Sequence, residues 1–246
     1  MTVTLLTGAS SGIGRSLARQ LAGDPLALLA RRKALLDTLA AEIEAAGGRA
    51  LALPCDVTDR AQVAAAVQAA EAHFGPIERL IANAGGGRST AIQTFRAAEI
   101  EQILALNVVG VANCIEAVLP GMLARGQGHI VVTSSLAAWR GLPGAAAYCA
   151  AKAGLSAMME SLRIDLAAHG IDVTVLSPGF VRTRPEKRRK PFQVDLEAAT
   201  ARMERAIRAR RKAYAFPLPL VLGAGFGRLL PAPLYDRLLA RRRRSG

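Results

Sequence analysis

Near its N-terminus the chain reads Val3-Thr4-Leu5-Leu6-Thr7-Gly8-Ala9-Ser10-Ser11-Gly12-Ile13-Gly14. A short apolar run, typical of a buried strand, leads through three glycines into a helical pattern over Gly12–Ala22. Gly8 permits the tight turn out of the strand, Gly12 lets the backbone approach a ligand closely, and Gly14 lets the helix pack close to the sheet. The start of the helix offers free N–H groups and the positive end of the helix dipole, so this loop is a predicted pyrophosphate site. Its candidate binding residues are Gly8, Ser10, Ser11, Gly12, Ile13 and Gly14.

The rest of the chain repeats this alternation of strand and helix. Short apolar runs predict strands at Leu26–Ala30, Arg49–Leu53, Arg79–Ala82, His129–Thr133, Ile171–Leu176 and Tyr214–Phe216. Longer amphipathic patterns predict helices at Ala34–Ala46, Asp59–His73, Ile100–Leu123 and Tyr148–Ala168. Such alternation is typical of βαβ units with parallel strands. We therefore predict an α/β fold with one doubly wound parallel sheet of about seven strands and helices on both faces.

The composition of the 246-residue chain supports one folded domain. Hydrophobic residues make up 51% of the sequence, which argues against a disordered chain. The formal net charge is +13, and residues 182–246 supply all of it with 18 Lys and Arg against 5 Asp and Glu. Residues 1–181 hold 14 of each kind and are neutral. A nucleic-acid-binding domain would carry its basic residues on the domain itself, so this division argues against that class.

The cysteines and the ends of the chain indicate a cytoplasmic setting. Cys55, Cys114 and Cys149 lack the spacing of a metal site or of a disulfide framework, so no metal is expected. The N-terminus runs straight into a strand without a basic leader. The longest uncharged run near the C-terminus, Ala213–Gly227, is too short to span a bilayer and contains two prolines.

The glycines have the spacing GxxxGxG, not the GxGxxG of two-domain dehydrogenases. The run from Thr7 to Gly14 resembles the signature of the short-chain dehydrogenase/reductase family, and the resemblance covers about residues 1–183. It implies a single Rossmann-like domain, residues 1–246, that holds both a nicotinamide cofactor and the substrate. Residues 1–183 are then the cofactor and catalytic core, and residues 184–246 are a substrate lid and a basic amphipathic C-terminal tail.

The residues after the second strand distinguish the two nicotinamide cofactors. NAD enzymes place an acid there for the ribose 2′-hydroxyl, whereas this chain continues Arg31-Arg32-Lys33. A guanidinium pairs with a 2′-phosphate through two hydrogen bonds. Arg31 is therefore predicted to select NADP(H), assisted by Arg32 and the hydroxyl of Ser10. The alternative is a solvated start of the next helix.

Tyr148 and Lys152 are the candidate catalytic pair. Four residues apart, they share one face of a helix, which sets an ammonium beside a phenol. A free phenol has a pKa of about 10, and a neighbouring cation lowers it. Tyr148 is thus expected to give a proton to a carbonyl oxygen or take one from an alcohol. Ser135 has the family spacing to Tyr148 and is expected to bind the same oxygen, with Ser134 as the alternative.

The resemblance assigns further residues to the adenosine half of the cofactor. It implies that Asp56 binds the adenine amino group, with the backbone of Val57 in support. Asp56 also fits as an N-terminal cap of the following helix, for which Thr58 and Asp59 are candidates as well. Asn83-Ala84-Gly85 resembles the family motif that stabilises the central sheet beside the adenine ribose.

The resemblance also assigns residues around the nicotinamide. It implies that Lys152 bonds the nicotinamide ribose, and that Pro178-Gly179, Val181 and Thr183 meet the carboxamide. Asn107 is implied to distort the long helix and to expose a carbonyl to a water that links Lys152 to solvent. The alternative for Asn107 is an asparagine whose side chain is satisfied within its own helix.

Together these features predict an NADP(H)-dependent oxidoreductase. It would act as a carbonyl reductase or alcohol dehydrogenase, moving a hydride between the nicotinamide and a carbonyl or alcohol carbon of a hydrophobic ketone, aldehyde or alcohol. The alternative is a non-catalytic NADP-binding regulator or membrane-surface scaffold of the same fold. A homo-oligomer, dimer or tetramer, is expected through the apolar side chains Leu155, Met158, Met159 and Leu162.

The segment beyond Thr183 allows two interpretations. An apolar stripe of Leu196, Ala199, Met203 and Ile207 lies opposite Arg202, Arg205, Arg208 and Lys212, which indicates a basic amphipathic helix. Further on, the apolar residues Leu218, Leu220, Val221, Leu222 and Phe226 precede the run Arg241–Arg244. One interpretation is a substrate lid with a solvated basic end, and the other is peripheral contact with a membrane surface. The segment lacks interleaved aromatic residues, which argues against nucleic acid as a partner.

Overall fold

A computed structural model of the chain describes residues 1–90, 92–183 and 190–244, with only the backbone described for 240–244. The side chains of Arg241–Arg244 and the first residues after Thr183, both named in the sequence predictions, therefore lie outside the described part. All structural statements below refer to the described residues.

The core of the fold is a seven-stranded sheet. Its strands are β1 (Thr4–Thr7), β2 (Pro25–Ala30), β3 (Arg49–Pro54), β4 (Arg79–Ala82), β5 (Gly128–Thr133), β6 (Ile171–Pro178) and β9 (Ala213–Phe216). They lie in the order β3-β2-β1-β4-β5-β6-β9, and every neighbouring pair is parallel. The predicted fold class is thus confirmed, including the seventh strand. The order reverses between β1 and β4, so a crevice opens at the carboxyl ends of these strands, where open α/β sheets bind ligands.

Helices cover both faces of the sheet. They are α1 (Gly12–Gln20), α2 (Lys33–Ala45), α3 (Arg60–Phe74), α4 (Ala97–Leu104), α5 (Gly110–Arg125), α6 (Ala146–Ala167), α7 (Leu196–Arg208), α8 (Leu218–Leu229) and α9 (Ala232–Arg244). A short 3₁₀ turn spans Leu136–Ala138, and the two short strands β7 (Val181–Arg182) and β8 (Val194–Asp195) pair with each other. The helices predicted before residue 170 are all present, with ends shifted by no more than three residues.

Each central strand is buried on both faces. Leu5, Leu80 and Ile130 pack into the core on one side of the sheet, and the next residues along each strand, Leu6, Ile81 and Val131, pack into the core on the other. Successive strand side chains point to opposite faces, so the middle of a strand covered on both sides is apolar at consecutive positions, while buried polar residues such as Thr4, Arg79 and His129 stand near strand ends. This explains why the strands appear in the sequence as unbroken apolar runs.

α7 belongs to the core. Its residues Ala199, Met203 and Ile207 are fully buried, as the predicted apolar stripe requires. The hydroxyls of Ser16 in α1 and Thr200 in α7 lie 2.7 Å apart in a buried hydrogen bond. α7 is thus a core helix, and cover of the substrate by the C-terminal region stays a prediction.

The helices α8 and α9 were not predicted. Each carries a proline in its first turn, Pro219 and Pro233. A proline there lacks only an N–H that has no partner within the helix, so it permits a helix to begin. From the sequence, Pro217 and Pro219 indicated breaks in an apolar run, and neither helix was predicted.

The helical stretch Ala97–Arg125 combines α4, a π-helical turn at Ala105–Val109 and α5. Among the described helices, it is the one long and apolar enough, by length and composition alone, to cross a membrane. Core helices of soluble proteins pass the same test. Its own residues Val111, Cys114 and Val118 are buried in the core, which accounts for part of its apolar character.

The apolar residues of α6 are partly used by the core. Leu155 and Met159 are fully buried there, so these two of the four residues predicted to meet another copy cannot do so. Met158 and Leu162 are only partly buried, and Ile164 is exposed. Any contact between copies through α6 rests on these three side chains.

Candidate active site

A cavity of about 610 Å³ lies along the carboxyl ends of the strands. Its wall contains every residue predicted to bind the cofactor and three of the four predicted catalytic residues. They are Gly8, Ser10, Ser11, Gly12, Ile13, Gly14, Arg31, Arg32, Asp56, Val57, Asn83, Ala84, Gly85, Ser135, Tyr148, Lys152, Pro178, Gly179, Val181 and Thr183. Asn107, the fourth catalytic candidate, lies behind the wall and is fully buried.

The glycine loop has no room for side chains. A Cβ on Gly14 would lie 2.2 Å from the carbonyl oxygen of Gly8, and a Cβ on Gly8 would lie 2.9 Å from the Cα of Ala84. Gly8 and Gly12 have φ values of 69° and 53°, in the left-handed region that favours glycine. Ser11 is the N-cap of α1 without a side-chain cap bond, and the described first turn holds no acidic residue. The loop and helix start thus form a tight cradle suited to an anion.

Two arginines lie beside this loop, and they differ in their contacts. Arg32 donates from Nη2 to the hydroxyls of Ser10 and Ser11, both at 2.9 Å. Arg31 places Nη1 3.8 Å from Oδ2 of Asp56, and its side chain is 75% exposed. The structure therefore places Arg32, more closely than Arg31, against the glycine loop, while Arg31 lies beside Asp56.

Asp56 forms a turn of its own and does not cap α3. Its Oδ1 accepts hydrogen bonds from the backbone N–H and the hydroxyl of Thr58 at 3.0 and 2.8 Å. The cap of α3 is Asp59, whose carboxylate accepts from the backbone N–H of Gln62. Of the alternatives left open by the sequence, Asp59 is therefore the cap. Asp56 lines the cavity with its other oxygen toward Arg31.

Asn83 ties three strands together beneath the cavity. Its side-chain amide donates to the carbonyl of Thr7 at 3.2 Å, and its Oδ1 accepts from the hydroxyl of Thr133 at 3.2 Å. The hydroxyl of Thr7 accepts from the backbone N–H groups of Asn83 and Ala84 at 3.0 and 2.9 Å. β1, β4 and β5 are thus linked at their carboxyl ends, at the point where the strand order reverses.

Lys152 lies at the centre of the predicted catalytic group. It is buried, its Nζ donates to the carbonyl of Thr133 at 2.7 Å, and the same Nζ lies 5.8 Å from the centre of the Tyr148 ring. Burial lowers the pKa of Lys152 to about 8. At neutral pH the side chain is therefore mostly cationic, although its proton is held less firmly than that of a solvated lysine.

The electrostatic prediction for Tyr148 needs correction. Burial raises the pKa of the Tyr148 phenol, and a hydrogen bond with the Ser135 side chain acts as a weaker, lowering influence. Lys152 is not among the groups that shift this pKa, and its ammonium is directed to the carbonyl of Thr133. The pair shares a helix face as the spacing predicts, but in the protein alone the desolvation of the phenolate is the larger effect.

The two serines after β5 have different environments. Ser134 is buried, with its hydroxyl 2.7 Å from that of Ser156 and bonded to the backbone carbonyl of Lys152. Ser135 is half-buried, and its hydroxyl lines the cavity, where it also accepts from the N–H of Ala137 at 3.1 Å. Both serines line the cavity, and because Ser134 is buried and bonded elsewhere, Ser135 stays the predicted partner of a substrate oxygen. Ser134 helps to hold the Lys152 helix.

Asn107 sits in the π-helical turn of the long helix. Its side-chain amide donates to the carbonyls of Ile103 and Gly86 at 2.9 and 2.8 Å, and its Oδ1 accepts from the N–H of Gly86 at 3.3 Å. The helix is thus distorted at this asparagine, and the side chain is also satisfied by its own helix. A Cβ on Gly85 would lie 2.7 Å from Oδ1 of Asn107 and 3.2 Å from Nζ of Lys152.

A family model described as short chain dehydrogenase matches residues 2–208. The chain belongs to this family. An uncharacterized oxidoreductase of Myxococcus xanthus is 38% identical to this short chain dehydrogenase over 244 residues, which cover 97% of this chain and 96% of that protein. The protein is accordingly an oxidoreductase of this family with a Rossmann-like fold.

Solved structures of similar fold carry different cofactors. A short chain dehydrogenase/reductase from Burkholderia phymatum in complex with NAD has a TM-score of 0.82 and 27% identity, with 91% of each chain covered. An alcohol dehydrogenase from the archaeon Thermococcus sibiricus, complexed with 5-hydroxy-NADP, has a TM-score of 0.80 and 24% identity. The matched region covers 88% of this chain and 96% of that chain, and at this identity the likeness supports the fold alone.

Several residues that shape the cavity were not predicted from the sequence. Thr7 and Thr133 are the last residues of β1 and β5, and a hydroxyl at the carboxyl end of each strand was a signal available in the sequence. Gly87 was missed as well: a Cβ there would lie 2.6 Å from Cδ2 of Tyr148. Gly85 and Gly87 thus leave room for the side chains of Lys152 and Tyr148.

Proposed function

We propose that the protein is an NADP(H)-dependent oxidoreductase that interconverts a carbonyl and an alcohol, with Tyr148 as general acid and base. The observation that carries the proposal is that Ser135, Tyr148 and Lys152 line the same cavity as the glycine cradle. The cradle fits a dinucleotide, since even one Cβ at Gly14 would collide with backbone.

The side chains would share the chemical step as follows. When bound, the nicotinamide supplies the hydride to the carbonyl carbon or accepts it from the alcohol carbon. The hydroxyl of Tyr148 gives its proton to the carbonyl oxygen in reduction and takes a proton from the alcohol in oxidation. The hydroxyl of Ser135 bonds the same oxygen and holds it beside Tyr148. Lys152, whose Nζ is held by the carbonyl of Thr133, would bond the nicotinamide ribose when the cofactor is bound.

The choice of NADP(H) rests on the residues after β2. Arg31 and Arg32 lie beside the glycine loop, and the residues directly after β2 include no carboxylate that could bind a ribose 2′-hydroxyl. Guanidinium groups pair with a phosphate through two hydrogen bonds. Solved neighbours carry either NAD or an NADP-type ligand, so the proposal depends on these arginines.

A hydrophobic carbonyl or alcohol is the proposed substrate. Leu136 and Leu220 pack against Gly179, which is part of the cavity wall, so apolar side chains lie directly behind that wall. NADP(H) favours the reductive direction, so we assign the activity of a carbonyl reductase. We also place the protein in the cytoplasm, where its three buried cysteines stay free, as a homo-oligomer.

The test is turnover of Tyr148→Phe at matched cofactor occupancy. NADPH oxidation is measured against a panel of ketones and aldehydes, and NADPH binding is measured separately by fluorescence. The variant keeps the ring and loses one oxygen, so binding should persist while kcat falls by about a hundred- to ten-thousand-fold. Ser135→Ala should be impaired more than Ser134→Ala, its matched neighbour. Near-wild-type turnover of Tyr148→Phe would instead favour a non-catalytic NADP-binding protein.

A further inference from the structure

The two C-terminal helices each present large apolar side chains to solvent. On α8, Leu218, Leu222, Phe226 and Leu229 recur at helical spacing and are 67%, 64%, 64% and 84% exposed. On α9, Leu234 and Leu238 are each 51% exposed. We call these six residues the outer face. Large apolar side chains gathered in this way mark an interaction surface, whereas scattered ones need no explanation.

The opposite side of the same helices is fixed to the wall of the active site. Leu220 packs against Gly179 in the cavity wall, so that a Cβ on Gly179 would lie 2.7 Å from its Cδ1. Arg140, in the loop between Ser135 and Tyr148, donates to backbone carbonyls at the end of α8, among them that of Leu230 at 2.6 Å.

The same arginine anchors α9. The guanidinium of Arg140 lies 4.0 Å from the centre of the Tyr235 ring, and the Tyr235 hydroxyl donates to the carbonyl of Gly141 at 2.8 Å. A cation at a helix C-terminus and over an aromatic ring is stabilising in both contacts. The outer face is therefore held rigidly outside the substrate end of the cavity.

The charge of this segment identifies its partner. Residues 218–246 hold six arginines and one acid, Asp236, which gives a net charge of +5. A second copy of the chain on the outer face would bring two such segments together, and like charges repel. An anionic lipid surface offers apolar acyl chains for the leucines and negative headgroups for the arginines, so its charge is complementary.

The length of α8 determines how it would meet a bilayer. Its 12 residues span about 18 Å at a rise of about 1.5 Å per residue, well short of the roughly 30 Å hydrocarbon core. We propose that the outer face docks α8 and α9 in the plane of an anionic membrane surface. This docking would place the substrate end of the cavity at the lipid surface. The substrate would then be a carbonyl compound that partitions into the membrane, an inference that rests on the proposed oxidoreductase function.

The first test is sedimentation of the full chain with lipid vesicles, without cofactor or substrate. Vesicles of phosphatidylcholine alone are compared with vesicles containing about one quarter phosphatidylglycerol. We expect binding to the anionic vesicles that weakens as salt is added. Leu222→Gln and Phe226→Gln should each reduce the partition coefficient by about tenfold. Both side chains are exposed, so the unfolding temperature should not change, and Leu35→Gln on α2 is the matched control.

Each outcome has one meaning. Absent binding to anionic vesicles, or equal binding by wild type and the Leu222→Gln/Phe226→Gln double variant, refutes the docking proposal. A shift of the double variant to a smaller oligomer in lipid-free buffer also refutes it, since the outer face is then a contact between copies. Tyr148→Phe should bind vesicles like wild type. Loss of the proposed function is thus seen in turnover, and loss of docking is seen in sedimentation.

Discussion

Gly14→Ala is the sharpest single test of the phosphate cradle. The added Cβ would lie 2.2 Å from the carbonyl oxygen of Gly8 and 2.7 Å from Nδ2 of Asn83, whereas real Cβ contacts essentially never fall below 3.0 Å. The loop or the start of α1 must therefore shift by about 0.8 Å. Gly8 cannot yield easily, because its own position is fixed against the backbone of Ala84.

The magnitude follows from that shift. Overpacking of a filled site costs about 1–3 kcal/mol of unfolding free energy. A displacement of about 1 Å in a positioning element can reduce a rate about a hundredfold. We expect kcat/KM for NADPH to fall by about that factor and the unfolding temperature to decrease, measured by steady-state NADPH oxidation and thermal denaturation.

Gly23→Ala is the matched control, since a Cβ at Gly23 meets nothing within 4 Å. It should leave both quantities close to wild type. Our account of the cradle is refuted if Gly14→Ala binds and uses NADPH as well as Gly23→Ala does. A loss of stability with unchanged kcat/KM would show that Gly14 serves packing and does not shape the cofactor site.

Three further predictions concern the rest of the molecule. Arg31→Asp should shift the ratio of kcat/KM values from NADPH toward NADH, and a wild type that already prefers NADH contradicts the assignment. Burial lowers the pKa of His129 to about 3 from an ordinary 6.5, so the unfolded chain takes up the proton first as pH falls through this window. Stability should therefore decline between these pH values, by on the order of 4 kcal/mol in total, and denaturant titrations of His129→Gln should lack this component. Arg140→Ala should expose the chain after Pro217 to limited proteolysis without unfolding the sheet, and equal protection in wild type and variant would show that Arg140 does not fasten the tail.

Much of the fold could be predicted because local pattern and tertiary environment agree. Leu5 and Leu6 are both apolar because a strand covered on both faces has no polar side, and this shows in sequence as a short unbroken run. Gly8 and Gly14 are glycines for reasons of backbone geometry that their spacing reveals. Such residues are specified by their immediate neighbours, so a single sequence suffices to place them.

The remaining features depend on contacts that sequence spacing does not reveal. The direction of the Tyr148 pKa shift follows from burial beneath Gly87 and from the orientation of Lys152, neither of which follows from a four-residue separation. Thr7 and Thr133 lie 126 positions apart and meet only through Asn83. The helices α8 and α9 place leucines toward solvent, which an amphipathic pattern alone assigns to a core.

The Thr7–Asn83–Thr133 hydrogen bonds have a consequence for engineering. These hydrogen bonds join the three central strands and also shape the floor of the cavity. The stability of the sheet and the geometry of the ligand site therefore depend on the same bonds. In a library that varies these positions, folding yield and turnover will fall together, and no variant will gain turnover at the expense of folding yield. The C-terminal helices contact the pocket from outside this set, so diversity intended to alter substrate range belongs there.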